Sequence, residues 1–310
     1  SFVRYNMTLV HTPSKSLSHV NHVRGWRNKG GPFFTVIEVM GLCVAKNSMN
    51  IDISLKDLLE AGCHFGHQAR RWNPRMKPYL FAKRDGLHVF DLVKTKEGLE
   101  EACKAMYEAS KDGKRIVLVA TKRQAQDIVR DTAKMVGVGY ITERWLGGML
   151  TNYDQMKQSV KKLKRMKKDQ EMGLLGKYTK KEQLLMTRQM AKSDKFLGGL
   201  MVYDEKPEVL FVVDTRREVV AINEARNLGM QVIGLVDSNS DPEQIDIVIP
   251  ANDDAVKSIQ YVVSKIAEAI VQGKNARVAG EKDSKKDDNK VAEKEEKVVK
   301  DKKVVKNKEE

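Results

Sequence analysis

Cysteine is scarce: Cys43, Cys63 and Cys103 are the only three in 310 residues, and none shares a CxxC spacing. That excludes a disulfide framework and a cysteine-built zinc ribbon, and it fits a reducing, intracellular compartment. No apolar run approaches the roughly 18 residues that a spanning helix needs, so no membrane partner is expected. Nucleotide-enzyme signatures are missing as well. The first strand runs into ATKRQA (120–125) where a dinucleotide fold would carry GxGxxG, no GxxxxGK[ST] occurs, and no nucleophile elbow is present. Acids are missing locally too, since 61–86 reads AGCHFGHQARRWNPRMKPYLFAKRDG with no Asp or Glu before Asp85.

What is present is positive charge. Lys and Arg number 56 against 42 Asp and Glu, a formal net charge of +14. Such an excess calls for a polyanionic partner, nucleic acid first and an acidic membrane surface second. The acid-free stretch concentrates Arg70, Arg71, Arg75, Lys77, Lys83 and Arg84 around Trp72 and Tyr79. Pro74 and Pro78 interrupt any helix and restrict Asn73 and Lys77 to extended conformations, so the stretch reads as an ordered, extended basic arm. Guanidinium groups interleaved with aromatics suit phosphates, sugar edges and unpaired bases. Equally, Trp72 and Tyr79 could anchor the arm to a core.

Around the arm the chain alternates. Ser54 caps a short helix that ends at Gly62. Segments 79–82 and 87–92 flank a KRDG turn as a hairpin, and Thr95–Ser110 forms an amphipathic helix. Continuous apolar runs at 115–120, 208–213, 231–236 and 246–249 read as strands covered on both faces, with a short one at 140–142. Helices 122–135 (capped by Thr121), 216–227 and 255–271 separate or follow them. This order predicts a doubly wound parallel α/β sheet. It is interrupted at about 153–197, where Tyr153, Met156, Val160 and Leu163 follow helical spacing and Thr179-x-x-Glu182 opens a second helix. An inserted antiparallel coiled-coil hairpin with a thin interior is expected, the pairs Gly147-Gly148 and Gly198-Gly199 acting as tight hinges. Its first helix carries Lys157, Lys161, Lys162, Lys164, Arg165, Lys167 and Lys168 against Asp154 and Asp169, an imbalance that phosphate would relieve.

Residues 1–48 read as an upstream extension before a start at Met49, with an organelle transit peptide or signal peptide as the alternative. The domain spans 49–272, and the Lys/Glu-rich 273–310 reads as a disordered tail. One cluster could serve chemistry. Asp214 and Asp237 fall at strand carboxyl ends, and Asp253 and Asp254 lie just after another. If the arm crosses that end, His67 could join them in a zinc or magnesium environment. A metal-dependent nucleotide or sugar-phosphate enzyme is therefore the rival reading.

LLEAGCHFGHQARRWNPRMKPY (58–79), ATKRQA (120–125), ERWLGGMLTN (143–152), YTKKE (178–182) and VDSNSDPEQIDIVIPANDDA (236–255) together resemble the bacterial-type small-subunit ribosomal protein S-two family. The resemblance covers about 49–272. It implies a flavodoxin-like sheet with a protruding coiled-coil hairpin, binding to small-subunit ribosomal RNA, docking of the ribosomal protein S-one beside neighbouring small-subunit proteins, and no catalysis. It adds Lys122 and Arg123 to the RNA-contact set. It requires no cofactor, but implies a metal at His67, Asp237, Asp253 and Asp254 in some lineages. A bacterial cytoplasmic ribosome is the expected location, with an organelle ribosome second.

Overall fold

In the computed structural model, residues 51–279 are described; the readings of 1–48 and of most of the charged tail lie outside them. Five parallel strands form the main sheet: β4 (Ile116–Val119), β5 (Gly139–Ile141), β6 (Val209–Val213), β7 (Gln231–Val236) and β8 (Ile247–Pro250), in the order β5-β4-β6-β7-β8. Every residue of β4 and β6 is buried, as continuous apolar runs require of strands with helices on both faces. Chain direction across the sheet reverses between β4 and β6, the switch point at which open α/β sheets offer a crevice.

One face of the sheet packs against α1 (Leu55–Glu60), α2 (Leu92–Lys111), α3 (Arg123–Val136) and a final helix described over 256–279, here α7. That helix runs through Gly273, past the end read from the sequence. The other face carries α6 (Val219–Asn227) and the base of a helical pair, α4 (Tyr153–Glu171) and α5 (Lys180–Leu197). α2 starts earlier than its apolar pattern because the Asp91 side chain accepts from Val93 N. α6 starts later than 216, because Asp214 takes a left-handed conformation (φ 65°) and its carboxylate accepts from Arg217 N, closing a turn first. Thr121 is not a cap: Lys122 occupies the N-cap of α3, and the Thr121 hydroxyl donates to Glu218 instead.

A second, antiparallel sheet holds β1 (Phe65–Gln68), β2 (Leu80–Arg84) and β3 (Leu87–Phe90) in the order β1-β3-β2. β2 and β3 are the expected hairpin, turning at Asp85-Gly86, both at positive φ. β1 was not anticipated, because FGHQ is too short and too polar to stand out. Nor is the arm extended throughout. Asn73 is extended and its side chain caps Arg75 N, but Pro74–Tyr79 forms a 3-10 turn that includes Lys77. Pro74 supplies a first-turn residue whose missing N–H costs nothing there.

The α4–α5 pair springs from loop 145–152, and one carboxylate organises that loop. Glu224 on α6 accepts from Trp145 Nε1 (3.2 Å), Gly148 N (2.7 Å), Leu150 N (2.9 Å), Thr151 N (3.1 Å) and Thr151 Oγ1 (3.2 Å). Burial opposes its ionisation, but the backbone donors outweigh burial and hold the carboxyl below its ordinary value. Gly148 turns at φ 86°, whereas Gly199 is a close approach rather than a hinge, since a Cβ there would collide with the Tyr140 carbonyl. Buried residues of the pair, Val160, Leu163 and Leu197, lie towards its base, and Met172, Tyr178, Leu184 and Leu185 are exposed farther out.

Glu224→Gln turns an amide donor toward groups that are themselves donors. Urea unfolding should show a loss of about 2–4 kcal/mol, the range for unsatisfied buried donors and lost charge-assisted bonds. An unchanged midpoint would remove Glu224 as the brace.

Candidate nucleic-acid interface

The arm is fastened across the carboxyl end of the main sheet. His67 N donates to Ser238 Oγ (2.9 Å) and Asn73 N to the Ser238 carbonyl (2.7 Å). His67 Nδ1 lies 3.0 Å from Asp237 Oδ2, and Arg75 pairs with Asp241 at 2.5 Å and with Glu243 at 3.3 Å. Trp72 stacks against His88 with centroids 5.0 Å apart, and Tyr79 packs on the core, so both aromatics serve as anchors. Gly66 completes the fit, because a Cβ there would press on Ser238 Oγ and the His88 carbonyl.

Fastening on this side leaves the other side free. Arg70, Arg71, Arg75, Lys77, Lys83 and Arg84 are all exposed, and apart from Arg75 none forms an ion pair among the described residues. Arg75 is the exception in role as well: two acids neutralise it, so it ties the arm down. On α4, Lys164 pairs with Asp204 (2.6 Å), Lys167 with Asp194 (2.5 Å) and Arg165 distantly with Asp169 (4.0 Å). Lys157, Lys161, Lys162 and Lys168 make no ion pair among the described residues. Arg123 is exposed at the start of α3.

Lys122 departs from expectation. It is 8% exposed, with Nζ 2.6 Å from Asp253 Oδ1, 2.5 Å from Asp254 Oδ1 and 3.8 Å from Asp214 Oδ2. An ammonium enclosed by three carboxylates is not offered to RNA, so Lys122 leaves the contact set. Burial works against its charge, but the field and hydrogen bonds of Asp253 and its neighbours outweigh burial and raise its pKa. At the switch point Lys122 therefore lies 3.8 Å from Asp214 and the Thr121 hydroxyl donates to Glu218, tying the two βα turns to each other.

The family resemblance implied four metal ligands, His67, Asp237, Asp253 and Asp254, and the structure groups three of them. His67, Asp253 and Asp254 offer one ligand atom each, all within 4.8 Å of one another, and Nε2 of His67 lies 3.3 Å from Asp254 Oδ2. Asp237 stands behind the group: it is fully buried, it accepts from Ser238 N (2.5 Å), Ser238 Oγ (3.0 Å) and Asp253 N (3.3 Å), and it holds the opposite edge of the imidazole. One imidazole nitrogen with two carboxylates suits zinc, and the carboxylates suit magnesium. Asp253 Oδ2 is buried without a hydrogen-bond partner, an oxygen with capacity for a cation. The residues therefore fit a divalent ion, with Lys122 as the counter-charge that the ion would have to displace or share.

Burial, with Asp237 and Asp214 alongside, pushes Asp253 up to about 7 despite the pull of Lys122. His67 is raised as well, chiefly by its contact with Asp237. For groups raised on folding, stability is fully present below the unfolded pKa and is lost as pH rises through the folded one. Asp237 shifts the other way, with burial outweighed by His67, so its contribution is complete above its ordinary 3.8. The thermal midpoint should therefore fall as pH rises from about 5 to about 7.5, and Asp253→Asn, which cannot ionise, should flatten the profile. An equally steep profile in the variant would contradict the assignment.

Comparison with known proteins adds a lineage to this geometry. The family model described as Ribosomal protein S2 matches residues 58–273. Small ribosomal subunit protein uS2 of Coprothermobacter proteolyticus is 46% identical over 225 residues, covering 73% of this chain and 84% of that one. The protein of the same name from Rippkaea orientalis is 44% identical over 231 residues (74% and 86%), and that from Geotalea uraniireducens 46% over 226 (73% and 88%). The matched span takes in the arm, the helical pair and the carboxylate cluster alike. The chain belongs to the ribosomal protein S2 family.

Proposed function

We propose that the chain is a structural component of the small ribosomal subunit, holding ribosomal RNA through its arm and helical pair. The observation that carries this is the sorting of charge. Acids of the fold pair with Arg75, Lys122, Lys164 and Lys167, while Arg70, Arg71, Lys77, Lys83 and Arg84 on the arm and Lys157, Lys161, Lys162 and Lys168 on α4 form no ion pair among the described residues. Phosphate supplies their counter-charge, and the release of counterions drives the association. Arg165 extends the surface on α4, and Arg123 stands apart from both at the start of α3. What argues against an enzyme of nucleotides or sugar phosphates is Lys122, whose ammonium already engages Asp214, Asp253 and Asp254, the acids that such chemistry would use.

The body also offers a protein-docking face. Phe65, Leu87 and Val89 share the outer face of the small sheet, opposite buried Phe90. Leu55 and Leu59 on α1 and Phe81 on β2 are exposed as well, with Phe81 at 74%. Singly exposed apolar residues are ordinary, but neighbouring ones on one sheet face, as Phe65, Leu87 and Val89 are, mark a partner's seat. We assign it to the ribosomal protein S-one. The bacterial relatives favour a bacterial ribosome, and zinc or magnesium at His67, Asp253 and Asp254 would brace the arm without chemistry of its own.

Three results are expected. Arg70→Gln with Arg71→Gln should reduce the magnitude of the salt slope of ribosomal RNA binding by about one to two units, at about 0.7–0.9 per phosphate contact; an unchanged slope removes the arm from the interface. Small subunits assembled with Phe65→Asp and Phe81→Asp should carry less S-one by quantitative mass spectrometry, and full occupancy would place the seat elsewhere. Elemental analysis of untagged protein should find a divalent ion that Asp254→Asn loses, and its absence from the wild type would remove the metal.

A further inference from the structure

The two βα turns at the switch point are built alike. β4 runs into Ala120-Thr121-Lys122-Arg123, and β6, its parallel neighbour, into Asp214-Thr215-Arg216-Arg217. Each turn ends at a helix on a different face of the sheet, α3 on one and α6 on the other. The inner residues face each other across the crevice: Lys122 lies 3.8 Å from Asp214, and the Thr121 hydroxyl donates to Glu218. Burial raises the Glu218 pKa, which further reduces negative charge there. Of the outer residues, Arg217 feels the field of Glu218 without pairing with it. Arg123, Arg216 and Arg217 are exposed and form no ion pair among the described residues. Neither N-cap side chain, Lys122 or Glu218, accepts from the first turn of its helix, so both turns also leave N–H groups available. The arm is fastened to the next loop along, after β7, so this rim continues the arm's exposed face across the sheet end.

We propose that Arg123, Arg216 and Arg217 form a further phosphate-binding rim for RNA, set at the switch point and separate from both the arm and the helical pair. Three guanidinium groups without an ion pair among the described residues, on two turns tied to each other through Lys122 and Asp214, match the spaced phosphates of a nucleic-acid backbone. Arginine suits this better than lysine does in geometry, though not in counterion release. The rim rests on the RNA-binding reading above, and it widens the interface from two projections to the body between them.

The test is the salt dependence of binding between the full chain and transcribed small-subunit ribosomal RNA. Changing Arg123, Arg216 and Arg217 to Gln should lower the magnitude of the slope by about two to three units, while changing the same three to Lys should keep it within about half a unit. The Arg70→Gln, Arg71→Gln protein is measured beside them. If that protein loses slope and the rim variant does not, the rim is overturned and the RNA reading stands. If neither loses slope, both fall. If the rim variant keeps its slope but is incorporated poorly into subunits, the rim faces an acidic protein, and the proposal is likewise overturned. Because all three side chains are exposed, the unfolding midpoint should match that of the wild type, so that a loss of slope reads as lost contact.

Discussion

A single buried carboxylate decides where the basic arm lies. Asp237, at the carboxyl end of β7, is shut off from water and would be costly there as an isolated charge. It is tolerated because Ser238 donates both N–H and hydroxyl, Asp253 N donates from the loop after β8, and His67 closes from the arm. Satisfying Asp237 therefore draws three segments, far apart in sequence, to one point. Ser238 repeats the arrangement with the arm's backbone, receiving His67 N on its hydroxyl and Asn73 N on its carbonyl. Fixed on this side, the arm has one direction left for its arginines, which is outward.

Charge follows the same division throughout the body. Cations near the sheet end are of two kinds, and pairing with acids separates them. Lys122 and Arg75 are spent on acids of the fold, whereas Arg70, Arg71 and Lys77 are not. Exposed ion pairs contribute little stability, so the pairs on α4 matter less for holding the helix than for showing which lysines already have a partner. Glu224 performs on the opposite face what Asp237 does at the sheet end. It gathers the N–H groups of loop 145–152 and so sets the exit of the helical pair from the body. Each projection is aimed by one carboxylate in the body, and each carries its positive charge beyond it.

Much of this architecture was legible in the sequence, for physical reasons. Strands buried on both faces must be apolar throughout, and RIVLVA, EVLFVV and QVIGLV could be little else. The helical pair announced itself through the Thr179–Glu182 capping box, which forms as expected. His67 near the aspartates was also readable, because carboxylates at strand ends converge by topology. What was hidden depends on contacts between distant segments. Lys122 is chemically identical to the exposed lysines, and only the loop geometry after β4 and β8 turns it inward. Glu224 lies in an ordinary amphipathic helix, and nothing local reveals that its partners are backbone N–H groups more than seventy positions earlier. β1 is too short to leave a pattern, and Asp237 looked like a ligand because its role as the support of His67 is set by which imidazole edge it meets.

The central claim is that the body aims the arm, and it is tested most directly by breaking the clamp while leaving every basic residue in place. His67→Ala removes the imidazole that joins the arm to Asp237 but changes no Lys or Arg. Its ribosomal RNA binding, measured across a series of salt concentrations, should lose about one to two units of slope, the share attributed to the arm. A slope identical to wild type would show that the arm finds its phosphates without the clamp, and would contradict the account.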